Sequence, residues 1–310
     1  MRMNTMRRLA CAGMMMLAAP AGAQQVADSA FAPAIARPAY AEGAGPLVLV
    51  DEAHTNFHTT DGRYYTFAQT LRRDGYRVRG LRAPFTPRAL ADAQVLVIAN
   101  ALHPSNDQNW TLPNPSAFTA EEIAAVEAWV RDGGSLLLIA DHMPFPGAAA
   151  DLAAAFGVTM GNGFAYDATE EESKMRFARD DGSLADHPVT RGRDAAERVD
   201  SVFAFTGQAF RVTAPGAEPL MTLAAGSVLL LPQVAWQFTA ETPRAQVGGQ
   251  LQGAVLRHGR GRVAVFGEAA MFSAQRAGPQ RQPMGMNDPR APQNVQFLLN
   301  VMHWLTGVLD

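Results

Sequence analysis

The sequence predicts an α/β fold with a mainly parallel sheet and a β-rich C-terminal half. Two observations carry this. Short, continuously apolar runs alternate with helix-compatible stretches through the first half, as expected for strands buried on both faces. After residue 199 the apolar runs follow one another with turn signals between them and little helical periodicity.

The first strand is Pro46-Leu47-Val48-Leu49-Val50. A helix over Tyr64 to Arg73 ends at Asp74-Gly75, and Tyr76 to Leu81 forms the second strand. Gln94 to Ala99 is the third, followed by a long polar loop through Pro104, Trp110, Pro113 and Pro115. Thr119-Ala120-Glu121-Glu122 is a capping box, in which threonine and glutamate satisfy each other's orphan backbone N–H groups. Ile123, Val126, Trp129 and Val130 then line one helical face before Gly133-Gly134 ends the helix and Ser135 to Ala140 forms the fourth strand. Further on, Val199 to Phe205, Val228 to Leu231 and Gln252 to Arg257 read as extended. The last of these turns through His258-Gly259-Arg260-Gly261 into Arg262 to Phe266, a hairpin. A terminal helix over Gln293 to Leu305 has Val295, Leu298, Leu299, Met302 and Leu305 on one face.

The N-terminus has the three-part layout of a secretory signal peptide. Arg2, Arg7 and Arg8 precede an apolar stretch from Leu9 to Ala19, and Ala21-Gly22-Ala23 supplies the small residues read at cleavage. Residues 1–23 are therefore expected to be removed and the product to be periplasmic or secreted. The apolar run is too short for a stable membrane insertion. Residues 24–45, rich in Ala and Pro, read as a flexible leader, which leaves 46–310 as the folded domain. Without residues 1–23 the chain has 23 basic and 29 acidic side chains, a balance that does not fit a nucleic-acid partner. The single cysteine, Cys11, falls in the removed segment. Disulfides, thiolate ligands and a cysteine nucleophile are thereby excluded from the processed protein.

Several pieces resemble the class I glutamine amidotransferase-like superfamily, in an exported, cysteine-less branch near the ThuA-like and gliding-motility transporter-like domains. They are Leu49-Val50-Asp51-Glu52-Ala53-His54, the Trp129-to-Leu138 helix-to-strand unit and His187-Pro188-Val189-Thr190-Arg191-Gly192. Later come Gly259-Arg260-Gly261-Arg262-Val263 with Gly267-Glu268, and Asn294 through Trp304-Leu305. The resemblance implies a flavodoxin-like three-layer sandwich. It does not carry glutaminase chemistry, because Asp141-His142 stands where amidotransferases place their nucleophilic cysteine.

Ligands of open α/β sheets bind beyond the carboxyl ends of the strands. The sequence places Asp51, Glu52, His54 and His58 after the first strand, Asn100 and His103 after the third, Asp141 and His142 after the fourth, and Glu268 after the late hairpin. Imidazole with carboxylate is the usual donor set for zinc and related ions. The expected ligands are His54, His58 and His142, with Glu52, Asp141 and Glu268 as the catalytic carboxylates and a divalent metal such as zinc as cofactor. Asp51-Glu52-Ala53-His54 also matches a helicase box, but the only lysine, Lys174, follows no glycine loop, so no nucleotide is expected. Gly-x-Ser-x-Gly is absent. His187 reads as part of a structural turn, His258 as solvated in the hairpin turn, and His303 as packed or half-exposed in the terminal helix. The Pro- and Gly-rich stretch around Met284 to Pro289 reads as a loop folded over the strand ends, with Trp110 as an opposite wall. The expected function is an exported hydrolase of a small-molecule or saccharide-type substrate. The alternative is a non-catalytic ligand- or partner-binding module of an envelope assembly or transporter.

Overall fold

Apolar runs rich in Val, Leu and Ile form the centre of a nine-stranded sheet in the computed structural model, which describes residues 25–167 and 175–310. The expected signal peptide and Lys174 lie outside those residues. The strands are β1 (Gln25–Ala27), β2 (Leu47–Asp51), β3 (Arg77–Leu81), β4 (Val95–Ala99), β5 (Ser135–Ile139) and β6 (Val158–Met160). They continue as β7 (Phe164–Asp167), β8 (Met175–Ala178), β9 (Ser201–Ala204), β10 (Phe210–Val212), β11 (Glu218–Thr222) and β12 (Ser227–Leu230). The last are β13 (Arg244–Gln246), β14 (Leu251–His258), β15 (Gly261–Phe266), β16 (Ala274–Ala277) and β17 (Gln282–Gly285). The helices are α1 (Tyr65–Arg73), α2 (Pro87–Leu90), α3 (Ala120–Arg131), α4 (Phe145–Ala155), α5 (Pro188–Arg191) and α6 (Asn294–Leu305).

The main sheet runs β3-β2-β4-β5-β15-β14-β10-β6, with β11 also on β14. From β3 to β15 every pairing is parallel. The expected hairpin, β14–β15, turns the sheet antiparallel, with Gly253 opposite Phe266 and His258 opposite Gly261.

Alternate residues of the central strands point to opposite faces, and each face is covered. Val48, Val50, Val97, Leu137 and Phe266 pack with α1 and α6, whereas Leu49, Leu96, Leu138 and Val265 pack with α2, α3 and α4. Each fully buried Leu, Val or Ile contributes on the order of 1.5–3 kcal/mol, so these strands anchor the molecule. The capping box of α3 forms as expected, with both the Thr119 and Glu122 bonds present. At the other end Gly133 takes a φ of +119°, and a Cβ on Gly134 would lie 2.3 Å from the Trp129 indole. That close approach requires glycine at Gly134.

Two expectations are corrected. Residues 25–45 are not a flexible leader. β1 pairs antiparallel with β16, Asp28 is buried beside Arg276 at 2.9 Å, and Phe31, Ile35 and Tyr40 pack on the core. These apolar residues are spaced too widely to signal an element, yet each finds a cleft. The stretch around Met284 is also more ordered than a loop: β16 and β17 form a hairpin that β1 extends to three strands. Among the described residues, no helix is long and apolar enough to cross a membrane.

Candidate active site

The strand ends deliver His58, Asn100, Asp141, His142 and Glu268 to one cavity of about 770 Å³. Its walls include Phe57, Trp110, Phe145 and Trp236, and the β16–β17 segment closes one side with Gln275, Met284, Asp288 and Arg290. Trp110 and the Met284–Pro289 stretch thus stand at the cavity, as the sequence suggested.

Asn100 organises the site. It ends β4 with a φ of +51°, a left-handed conformation that asparagine tolerates better than most side chains. Its carbonyl oxygen Oδ1 accepts the Asp141 backbone N–H at 2.9 Å, which turns the amide Nδ2 toward His58 Nδ1 at 3.2 Å. An amide nitrogen only donates, so His58 Nδ1 accepts and the ring proton sits on Nε2. That Nε2 has no hydrogen-bond partner among the described residues. Burial holds the imidazole well below its ordinary pKa, helped by the charge of Arg63, so it is neutral.

His142 is fixed in the opposite tautomer. Its Nδ1 lies 2.7 Å from the Met143 carbonyl oxygen, which only accepts, so the proton is on Nδ1 and the lone pair on Nε2. Burial lowers its pKa against the pull of Asp141. The ring stacks on Phe164 at 4.6 Å and meets the Trp236 edge at 4.6 Å.

Asp141 and Glu268 complete the wall. Asp141 accepts the His142 backbone N–H at 2.8 Å, and Glu268 accepts those of Ala270 and Met271 at 2.8 and 2.7 Å. Burial raises both pKa values, and the neighbouring Asp141 charge raises Glu268 further. Asp141 retains 7% exposure while Glu268 has none, so of the two cavity-lining carboxyls Asp141 is the more accessible.

Glu52 and His54 do not join this group, and the expected ligand set of His54, His58 and His142 does not assemble. His54 is turned outward: Nδ1 lies 2.8 Å from Asp51 Oδ1 and Nε2 lies 2.9 Å from Glu122 Oε1. The ring sits between Phe85 and Phe118, with both nitrogens spent. Glu52 faces β3, where it accepts from the Thr60 N–H and hydroxyl and from Arg82 Nε at 2.9 Å. Only glycine at position 80 leaves space for that carboxylate, since a Cβ there would lie 2.5 Å from it. Among the described residues, no three His, Cys, Asp or Glu side chains are gathered as ligands of one ion. Of the other histidines, His103 caps a short turn through Ser105 and does not line the cavity, His187 caps α5, His258 bonds Glu127 and His303 bonds Asp74 at 2.7 Å inside the core.

Sequence reasoning gave no role to Asn100 and overlooked Trp236. Asparagine directly after an apolar strand was a usable signal for the first. Trp236 follows no motif, and only the fold brings it to His142.

Fold and site together define an α/β protein with a polar, aromatic-walled cavity at the carboxyl ends of its parallel strands. No family model and no curated protein matches the chain. Solved structures do. The N-terminal domain of mmIFT52 superposes with a TM-score of 0.58 at 15% identity, covering 84% of this chain and 97% of that one. A cytoplasmic protein of Salmonella typhimurium gives 0.49 at 14%, covering 84% and 98%. Similar structures include ThuA-like proteins; one from Bacteroides uniformis gives 0.47 at 14%, covering 86% and 93%. At such identities the likeness concerns the fold alone.

Proposed function

We propose that this protein is an exported hydrolase that uses metal-independent acid–base chemistry on a small-molecule, saccharide-type substrate. The observation that carries the reading is the pair of neutral imidazoles held in opposite tautomers beside a buried carboxyl pair. Environments that push titratable groups apart in this way are typical of sites that move protons. His142 Nε2 presents a lone pair and accepts a proton from the attacking water. Asp141, whose pKa burial raises, donates a proton to the leaving oxygen. His58 and Asn100 hold the wall, and Glu268 acts through Asp141. No step is routed through a metal, because His54 is withdrawn from the donor set, and none needs a nucleotide.

Counting the parallel strands alone, the sheet order β3-β2-β4-β5-β15 is second, first, third, fourth, fifth along the chain. That order supports the flavodoxin-like sandwich, whose ligands bind at the switch point between the first and third strands. It is compatible with a cysteine-less, exported branch of the class I glutamine amidotransferase-like superfamily. Export rests on the signal-peptide layout of residues 1–23.

A panel of 4-nitrophenyl glycosides and esters tests the function on the purified protein. Turnover is expected for one class, with His142→Ala and Asp141→Asn each slowing it by about 100-fold or more. Full activity in His142→Ala would refute the assignment. Ligand binding without turnover by the wild type would favour the binding module.

A further inference from the structure

At the mouth of the cavity the chain carries an aromatic side chain in a conformation that aromatic residues rarely adopt. Trp236 has a φ of +67°, in the left-handed region. Strain of this kind persists where the surroundings enforce it, and it clusters at ligand sites. The segment before it is fixed: Thr111 bridges Val234, the Leu112 N–H bonds the Gln233 carbonyl at 3.0 Å, and the Ala235 N–H bonds the Trp110 carbonyl at 2.9 Å. Ala235 is buried with Met143 and Phe164. The strained residue is therefore held from behind.

Its indole belongs to two surfaces. Its indole makes T-shaped contacts with the His142 ring at 4.6 Å and with Phe164 at 4.7 Å, and the residue lines the cavity. It is also 41% exposed, beside Phe238 at 41%, whose ring centroid lies 6.4 Å away. These are two of the four large apolar side chains most exposed among the described residues. Through Trp236 this exposed pair is continuous with the cavity and adjoins His142.

We propose that Trp236 is a substrate-binding residue whose exposed indole face takes an apolar ring of the ligand that projects beyond the cavity. The polar, reacting part lies inside against His142. The substrate is then a conjugate, a hydroxyl-rich moiety joined to an aromatic or otherwise apolar ring, with the scissile link between them. The proposal rests on the hydrolase reading for the place of the reacting group, but binding alone can test it.

The experiment measures binding of matched phenyl and methyl β-glycosides of glucose, galactose and mannose by calorimetry on the purified protein. Asp141→Asn serves as a background in which turnover is suppressed. The phenyl member of at least one pair is expected to bind about tenfold tighter than its methyl partner. Trp236→Gly is expected to abolish that preference within the pair. Glycine accepts the left-handed backbone, so this variant keeps the loop where alanine would strain it. Equal affinities within every pair, absence of binding throughout, or a preference that survives Trp236→Gly would each overturn the proposal. A Trp236-dependent preference without turnover would leave it standing and sink the hydrolase reading. Turnover without the preference would do the reverse.

Discussion

His54 Nε2 lies 2.9 Å from Glu122 Oε1, a contact across 68 positions that ties the loop after the first strand to the first turn of α3. The same carboxylate oxygen accepts the Phe85 N–H at 3.1 Å, and its other oxygen accepts the Thr119 N–H that completes the capping box. The helix cap is therefore also the anchor of a buried imidazolium. Burial disfavours the charge on His54, but the bonds and charges of Asp51 and Glu122 outweigh it and raise its pKa above the ordinary imidazole value.

The sign of the pH dependence follows. A raised His54 pKa gives stability that is complete below the unfolded imidazole value, about 6.5, and is lost as pH rises through the folded value. Burial also opposes the charge on Glu122, but the Thr119 N–H, His54 and the Phe85 N–H lower its pKa, so its share is lost as pH falls through that depressed value. His54→Ala should cost about 3 kcal/mol near pH 5.5 and clearly less at pH 9. Urea denaturation at the two values checks this. A cost that grows with pH would mean that His54 is neutral in the fold.

The tautomers can be read directly. Proton-nitrogen correlation spectra of the imidazoles should show His58 protonated at Nε2 and His142 at Nδ1, with His58 remaining neutral well into acid. Asn100→Asp puts a carboxylate oxygen against His58 Nδ1, and asparagine and aspartate share tolerance of the left-handed backbone. In that variant the ring proton should move to Nδ1 and the His58 pKa should rise. Wild-type His58 protonated at Nδ1 would contradict the Asn100 orientation.

The N-terminal strand makes a third prediction. Asp28 receives Arg276 Nε and Asn287 Nδ2, each at 2.9 Å, and so clasps the hairpin that walls the cavity. Tyr40 sets its ring against Tyr76 at 5.2 Å. Asp28→Ala and Tyr40→Ala should each destabilise the protein by about 2 kcal/mol. Amide exchange of Gln25–Ala27 should accelerate in the first of these. Unprotected amides there in the wild type, with unchanged melting of both variants, would restore a flexible leader.

The contrast between His58 and His54 explains what was legible in the sequence. Strands were legible because a buried parallel strand must be apolar on both faces, and Val95 to Ile98 or Leu136 to Ile139 admit little else. Which pole the strand ends reach followed from the alternation of strand and helix. The direction of a side chain within a loop did not. After Asp51 the chain turns Glu52 to β3 and His54 to α3, and returns only when the Phe57 N–H bonds the Asn100 carbonyl at 2.9 Å. That return places His58 in the cavity, and it depends on partners from distant segments that no local pattern encodes. The leader was misread for the same reason: Phe31, Ile35 and Tyr40 lack a period, and only the finished core shows the clefts that they fill.

Glu268 gives the last prediction. The carboxyl is fully buried, and burial together with Asp141 holds its pKa well above the ordinary value, although the backbone N–H groups of Ala270 and Met271 favour the anion. A raised folded pKa means that stability is complete below the unfolded value, about 4.3, and is lost as pH rises toward the folded one. While the unfolded state alone is ionised, the loss approaches about 1.4 kcal/mol per pH unit. Glu268→Gln cannot ionise and should lack this slope. It also loses one acceptor, because its NH2 must face either the Ala270 or the Met271 N–H, so it should be less stable than wild type in mild acid, by about 2 kcal/mol. The two effects oppose each other as pH rises, so the stability gap between wild type and Glu268→Gln should narrow from pH 5 to pH 8. Guanidinium denaturation across that range decides it. A gap that widens would show Glu268 to be an ordinary ionised carboxylate stabilised by its two N–H donors, and Asp141 would then have no proton-holding partner for the chemistry assigned to it.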